Sequence, residues 1–164
     1  MEAKSSAHQP RFLPEKHNHA RCISRALSQA QNHCSRNEVR FTATRRRVLE
    51  IIWQNHCPLG AYAILEILVG EGRSCAPPTV YRALDFLLEQ GLVHRIASLN
   101  AFVGCMHPGH VSTGQFLICE SCGTATELDD VRVEKAISRG ADSVGFRARV
   151  HTIEVAGVCP NCVD

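Results

Sequence analysis

Two Cys-x-x-Cys pairs, Cys119-Glu-Ser-Cys122 and Cys159-Pro-Asn-Cys162, constrain this chain more than anything else in it. Each pair can set two sulfurs on the same side of a tight turn, and two such turns face to face make a tetrahedral four-thiolate cage of the kind that suits zinc. The residues between the pairs are enough for one strand, one helix and another strand. The cage is therefore expected to close a small folded unit on itself.

Nine cysteines and no apparent export signal point to a reducing compartment, with the cytoplasm as the expected location. No apolar run approaches membrane-spanning length, so no membrane partner is expected. Net charge is +2 but unevenly placed: residues 1–95 carry 13 Lys/Arg against 8 Asp/Glu, and residues 96–164 carry 5 against 8. A front half at +5 and a back half at −3 point to nucleic acid at one end of the chain and another task at the other.

Residues 1–17 lack periodicity and are expected to form a disordered tail. Apolar residues at three- and four-residue steps predict a helix over residues 19–36, with Ile23, Ala26, Leu27, Ala30 and Cys34 inward. Thr42 and Thr44 are cap candidates for a second helix, Arg45 to Trp53. Three arginines in its first turn oppose the helix dipole, which phosphates nearby would explain. His56-Cys57-Pro58-Leu59-Gly60 reads as a chain break before a short helix from Ala61 to about Val69. A further helix from Pro77 to Gly91 has proline at its start and glycine at its stop. Its stripe Val80, Leu84, Leu87, Leu88 faces inward and leaves Thr79, Tyr81, Arg82 and Asp85 outward.

Two strand-like runs, residues 92–96 and 100–104, then make a hairpin. Helices followed by a hairpin is the order of a winged helix-turn-helix, in which the last helix enters the major groove by its N-terminal residues. The fold class is thus α+β, with a winged-helix unit over residues 18–104, a hinge over 105–114 and a small metal-binding α/β dimerisation unit over 115–164. In that second unit a hairpin of residues 115–119 and 124–128 carries the first cysteine pair. A helix from Asp129-Asp130 to about Arg139 buries Val133, Ala136 and Ile137, and a strand spans Phe146 to Val158. The sheet edge is free to pair with a second copy.

Other potential ligands gather around the hinge: His94, Cys105, His110 and Glu127. One thiolate, one carboxylate and two neutral imidazoles balance Zn²⁺, so this mixed site should bind less tightly and exchange faster than the four-thiolate cage. His107 competes with His110, and His151 is open to a further site.

The runs Pro77-Pro-Thr-Val-Tyr-Arg-Ala-Leu-Asp-Phe-Leu-Leu-Glu-Gln-Gly-Leu-Val-His94, Leu99-Asn-Ala-Phe-Val-Gly-Cys105, Gln115-Phe-Leu-Ile-Cys119-x-x-Cys122-Gly and Cys159-x-x-Cys162 resemble the ferric-uptake-regulator (Fur) family, and within it the zinc-uptake branch. The resemblance covers about residues 20–162. It implies a dimeric bacterial repressor, not an enzyme, that binds AT-rich palindromic operators in double-stranded DNA with zinc as corepressor. Two Zn²⁺ per monomer are expected: a structural one at Cys119, Cys122, Cys159 and Cys162, and a regulatory one at His94, Cys105, His110 and Glu127. DNA contacts are expected from Thr79, Tyr81 and Arg82, with Arg45, Arg46 and Tyr62 from earlier helices. The histidine-rich run of the iron branch is reduced here to His107-Pro-Gly-His110, and a second histidine expected near Ser112 is absent. The alternatives are an iron- or peroxide-responsive regulator of the same family and, from a different class, a thiol-disulfide enzyme using the Cys-x-x-Cys pairs.

Overall fold

The computed structural model describes Phe12 and residues 18–54, 57–108 and 114–163. They fall into two compact units, one within Pro14–Val111 and the other within Ser112–Asp164 together with Met1–Leu13, which includes Phe12. The residues of the expected tail, Phe12 aside, and residues 109–113 of the hinge, His110 among them, lie outside the described residues.

The first unit runs α1 (His19–Arg36), α2 (Ala43–Gln54), β1 (Leu59–Gly60), α3 (Ala61–Gly70), α4 (Pro77–Glu89), β2 (Val93–Ile96) and β3 (Ala101–Gly104). Local chemistry sets the helix ends. The Asn18 side chain accepts from the Arg21 N–H at 3.0 Å to cap α1, and the Thr42 hydroxyl accepts from the Arg45 N–H at 3.3 Å before α2. Pro77 and Pro78 occupy the first turn of α4, where no intrahelical donor is needed. At the other end Gly91 takes φ +61°, and the Leu92 N–H reaches the Leu87 carbonyl at 2.8 Å, turning the chain sharply into β2.

The helices pack around Val48, Leu49, Ile52, Ile64, Leu68, Leu84 and Leu87, each 1% exposed or less. Each such side chain contributes roughly 1.5–3 kcal/mol by leaving water, so this unit has a self-sufficient apolar core. The stripe of α4 buries Val80, Ala83, Leu84, Phe86 and Leu87, with Leu88 only half-buried. The sheet order is β1-β3-β2, antiparallel throughout, with His94 opposite Val103 and Leu59 opposite Phe102. Leu59-Gly60, expected to be a plain break, is thus a third strand of the wing sheet. A two-residue bridge carries no periodicity, and only β3 across from it reveals it.

The second unit runs β4 (Gln115–Cys119), β5 (Ala125–Glu127), α5 (Val131–Ser143) and β6 (Ile153–Gly157), with sheet order β5-β4-β6. β4 pairs antiparallel with β5 and parallel with β6, and α5 lies in the crossover. Two expectations are corrected. The last strand begins at Ile153 rather than Phe146, because its register starts where β4 starts, with Gln115 opposite Ile153. The helix extends to Ser143 and buries none of its residues: Val133 is half-buried, Ala136 exposed and Ile137 43% exposed. Among the described residues of this unit, Phe116 is the one large apolar side chain fully inside. So thin a core needs a staple.

Candidate metal centre and nucleic-acid interface

The staple is at the end of the β4–β6 pair. Cys119 closes β4, Cys122 lies in the turn before β5, and Cys159 and Cys162 flank the turn after β6. Parallel pairing that ends with Cys119 opposite Gly157 brings the two turns together. All four sulfurs lie within 4.8 Å of one another, and Cys122 Sγ is 3.8 Å from Cys159 Sγ. A tetrahedron with metal–sulfur bonds of about 2.3 Å has edges of about 3.8 Å, so the spacing fits zinc. Cys119 and Cys159 are buried, Cys162 is half-buried and Cys122 is exposed.

The thiols are not equivalent. The backbone N–H of Cys122, then that of Cys159 at 3.3 Å from the sulfur, lower the Cys119 pKa to about 6. Cys122 is lowered too, first by the Thr124 hydroxyl 3.3 Å away. Burial raises Cys159, and the crowding of Cys159 and Cys122 pushes Cys162 up to about 12. Four sulfurs this close favour being thiolates together only around a cation. Thr124 belongs to this site as a hydrogen-bond partner, and its place two residues after Cys122 was the available sequence signal.

The Cys119-x-x-Cys122 segment sits in a strand-to-strand turn. A redox Cys-x-x-Cys draws its reactivity from a helix N-terminus, and no helix starts here.

Of the other expected ligands, His94 lies on β2 and Cys105 directly follows β3, where its N–H bonds the Leu92 carbonyl at 3.0 Å. The histidine nitrogen and the buried Cys105 sulfur are within 4.8 Å of each other. Glu127 closes β5 in the second unit. His107 is described and half-buried.

The expected DNA contacts are distributed over α2, α3 and α4. Thr79, Tyr81 and Arg82 project from the first turns of α4, all exposed, with Tyr81 at 42%. Tyr62, on the first turn of α3, is 66% exposed. None of α1, α2, α3 and α4 has an acidic residue in its first turn, whereas α5 has Glu134 there and Asp130 as its cap. Acid-free helix starts leave the dipole's positive ends open to an anion.

The arginine run divides by role. Arg47 pairs with Glu50 at 2.7 Å and with Glu71, whose carboxylate accepts from Arg47 Nε at 3.0 and 3.1 Å. These bonds hold the Arg47 pKa above its ordinary value and the Glu71 pKa below its own. Arg47 is thus engaged by carboxylates of its own unit. Arg46 is exposed, and Arg45 lies over the Phe86 ring at 3.6 Å from its centroid.

A winged helix followed by a thiolate-caged α+β unit defines the class of the molecule as a metalloregulator architecture. The family model described as the ferric uptake regulator family matches residues 36–156, and the chain belongs to that family. It is 39% identical over 141 residues to the zinc uptake regulation protein of Escherichia coli (strain K12), covering 84% of this chain and 81% of that one. Among solved structures, it resembles a zinc uptake regulator complexed with zinc and DNA, with a TM-score of 0.76 at 38% identity, covering 85% of this chain and 94% of that one. Holo XcZur gives the same TM-score at 39% identity, covering 85% and 97%.

Proposed function

We propose that this chain is a zinc-responsive transcriptional repressor of zinc-uptake genes, which binds double-stranded DNA as a homodimer with zinc as corepressor. It catalyses no reaction. The observation that carries the reading is the His94–Cys105 pair within 4.8 Å on the wing strands. An imidazole with a thiolate is a soft donor set that suits zinc over iron. It sits three residues beyond Gly91, the stop of α4, so whatever grips it bears on the helix that presents Thr79, Tyr81 and Arg82.

In this reading each protomer holds two Zn²⁺. Cys119, Cys122, Cys159 and Cys162 hold one permanently and close the second unit around its small core. His94 and Cys105 hold the other together with Glu127 and His110. Bound there, the metal supplies a cross-link between the winged-helix unit (18–104), the hinge (105–114) and the dimerisation unit (115–164). Ligands drawn from both sides of a hinge select one hinge angle. In the dimer that angle sets the separation of the two α4 helices, which must match major-groove half-sites about 34 Å or a multiple apart. The operator is an AT-rich palindrome, and the protein works in the cytoplasm.

The test couples metal content to DNA binding. Zinc per monomer and affinity for a DNA duplex enriched by the protein from a random pool are measured before and after mild chelation. Two zincs fall to one, and specific binding is lost. Cys105→Ser reproduces the chelated state with the fold intact, whereas Cys119→Ser unfolds the second unit. Tight specific binding by zinc-free Cys105→Ser removes the switch from this site, and restoration by Fe²⁺ but not Zn²⁺ turns the assignment to an iron-responsive regulator.

A further inference from the structure

We infer that Arg45 acts on DNA recognition through α4 rather than as a phosphate ligand: its guanidinium clamps the rotation of the recognition helix. This role presupposes the DNA-binding reading above. The guanidinium stacks 3.6 Å from the centre of the Phe86 ring and donates through Nη1 to the Arg40 carbonyl. A single planar cation thereby fastens the connector after α1, the first turn of α2 and the last turn of α4. A flat cation over an aromatic face is held in orientation as well as in distance.

What the clamp touches gives it consequence. Phe86 stands seven residues after Thr79 and four after Arg82, so its ring lies at the edge of the buried face next to the exposed side that carries them, and all three turn together with the helix. Turning α4 about its axis by one side-chain width would move Phe86 off the guanidinium and carry Thr79 and Arg82 away from the groove with it. Phe86 is itself 7% exposed, so the ring cannot follow such a turn freely. The neighbours in the run show the contrast: Arg47 is paired with Glu50 and Glu71, and Arg46 is exposed.

A positioning arginine and a phosphate ligand predict different losses. Each phosphate contact adds about 0.9 to the slope of log affinity against log salt, and its removal weakens all sequences alike. The experiment compares wild type, Arg45→Ala, Phe86→Leu and the double variant, zinc-loaded, on a duplex enriched by the wild type from a random pool and on a scrambled duplex of equal length. The expected result for Arg45→Ala is an unchanged salt slope and an enriched-to-scrambled affinity ratio lower by about tenfold. Phe86→Leu lowers the ratio likewise, and the double variant is little worse than either single one, as for two residues acting through one contact. Partial unfolding reduces active protein equally for both duplexes and leaves the ratio where it was, so the ratio reports position rather than stability. A reduced slope with the ratio preserved makes Arg45 a phosphate ligand and overturns the inference; so does an unchanged ratio and slope. If the wild type enriches no sequence, the DNA-binding reading itself falls.

Discussion

Gly104 closes β3 one residue before Cys105, and it stands where no side chain fits. A Cβ there would lie 2.3 Å from Trp53 Cε2 and 2.4 Å from Trp53 Nε1, well inside contact distance. The indole is 8% exposed and packed in the core, so it cannot swing aside cheaply. Gly104→Ala must push either the ring or the wing hairpin, at a cost of about 1–3 kcal/mol as for other overpacked sites. Thermal denaturation of the first unit should show a fall in Tm of several degrees, with zinc content of the four-thiolate cage unaltered. An unshifted Tm would mean that the hairpin yields freely, and the coupling of Cys105 to the core would go with it.

At the scale of elements, α5 differs from the other helices in how its start is held. Asp130 caps it by accepting from the Arg132 N–H at 2.8 Å, and the Arg132 guanidinium pairs with the same carboxylate at 2.6 Å. That pairing lowers the Asp130 pKa to about 2. A carboxyl depressed in the folded state contributes stability that is fully present above its unfolded value of about 3.9. The contribution disappears as pH falls from there through about 2. Asp130→Asn keeps an acceptor but cannot titrate, so its helical circular dichroism should decline less steeply than wild type between pH 4 and pH 2. Equal slopes would show that the cap is not what titrates. The four helices of the first unit were legible in the sequence because apolar stripes and end signals are local features: Thr42, Pro77 and Gly91 mark ends that the structure bears out, whereas the Asn18 cap of α1 emerged only from the structure. α5 was legible as a helix but not in its burial, since among the described residues Ala136 and Ile137 stay exposed. The four-thiolate cage followed from spacing alone. The stacking of Arg45 on Phe86, 41 positions apart, did not, because it depends on how α2 and α4 cross.

The whole chain joins a front half at +5 to a back half at −3, and the two halves differ as much in core as in charge. The winged-helix unit buries its own apolar surface; the second unit leaves Val144, Phe146, Val150, Val155 and Val158 between 47% and 88% exposed. Apolar side chains in that number on so small a unit are unusual for a monomer. β6 is an edge strand of its sheet among the described residues, and under the proposed homodimer a second copy on this surface would supply the core the unit lacks. Charge placed on the apolar surface should therefore separate the copies without disturbing the cage. Phe146→Asp with Val155→Asp is expected to shift sedimentation from twice the chain mass of 18.1 kDa to once that mass. The separated chains keep the zinc of the four cysteines and lose at least tenfold in affinity for the enriched duplex, each then offering one α4 where the dimer offers two. A variant that stays dimeric would place the interface elsewhere on the second unit, and one that becomes monomeric yet binds as tightly would remove half-site pairing from the mechanism.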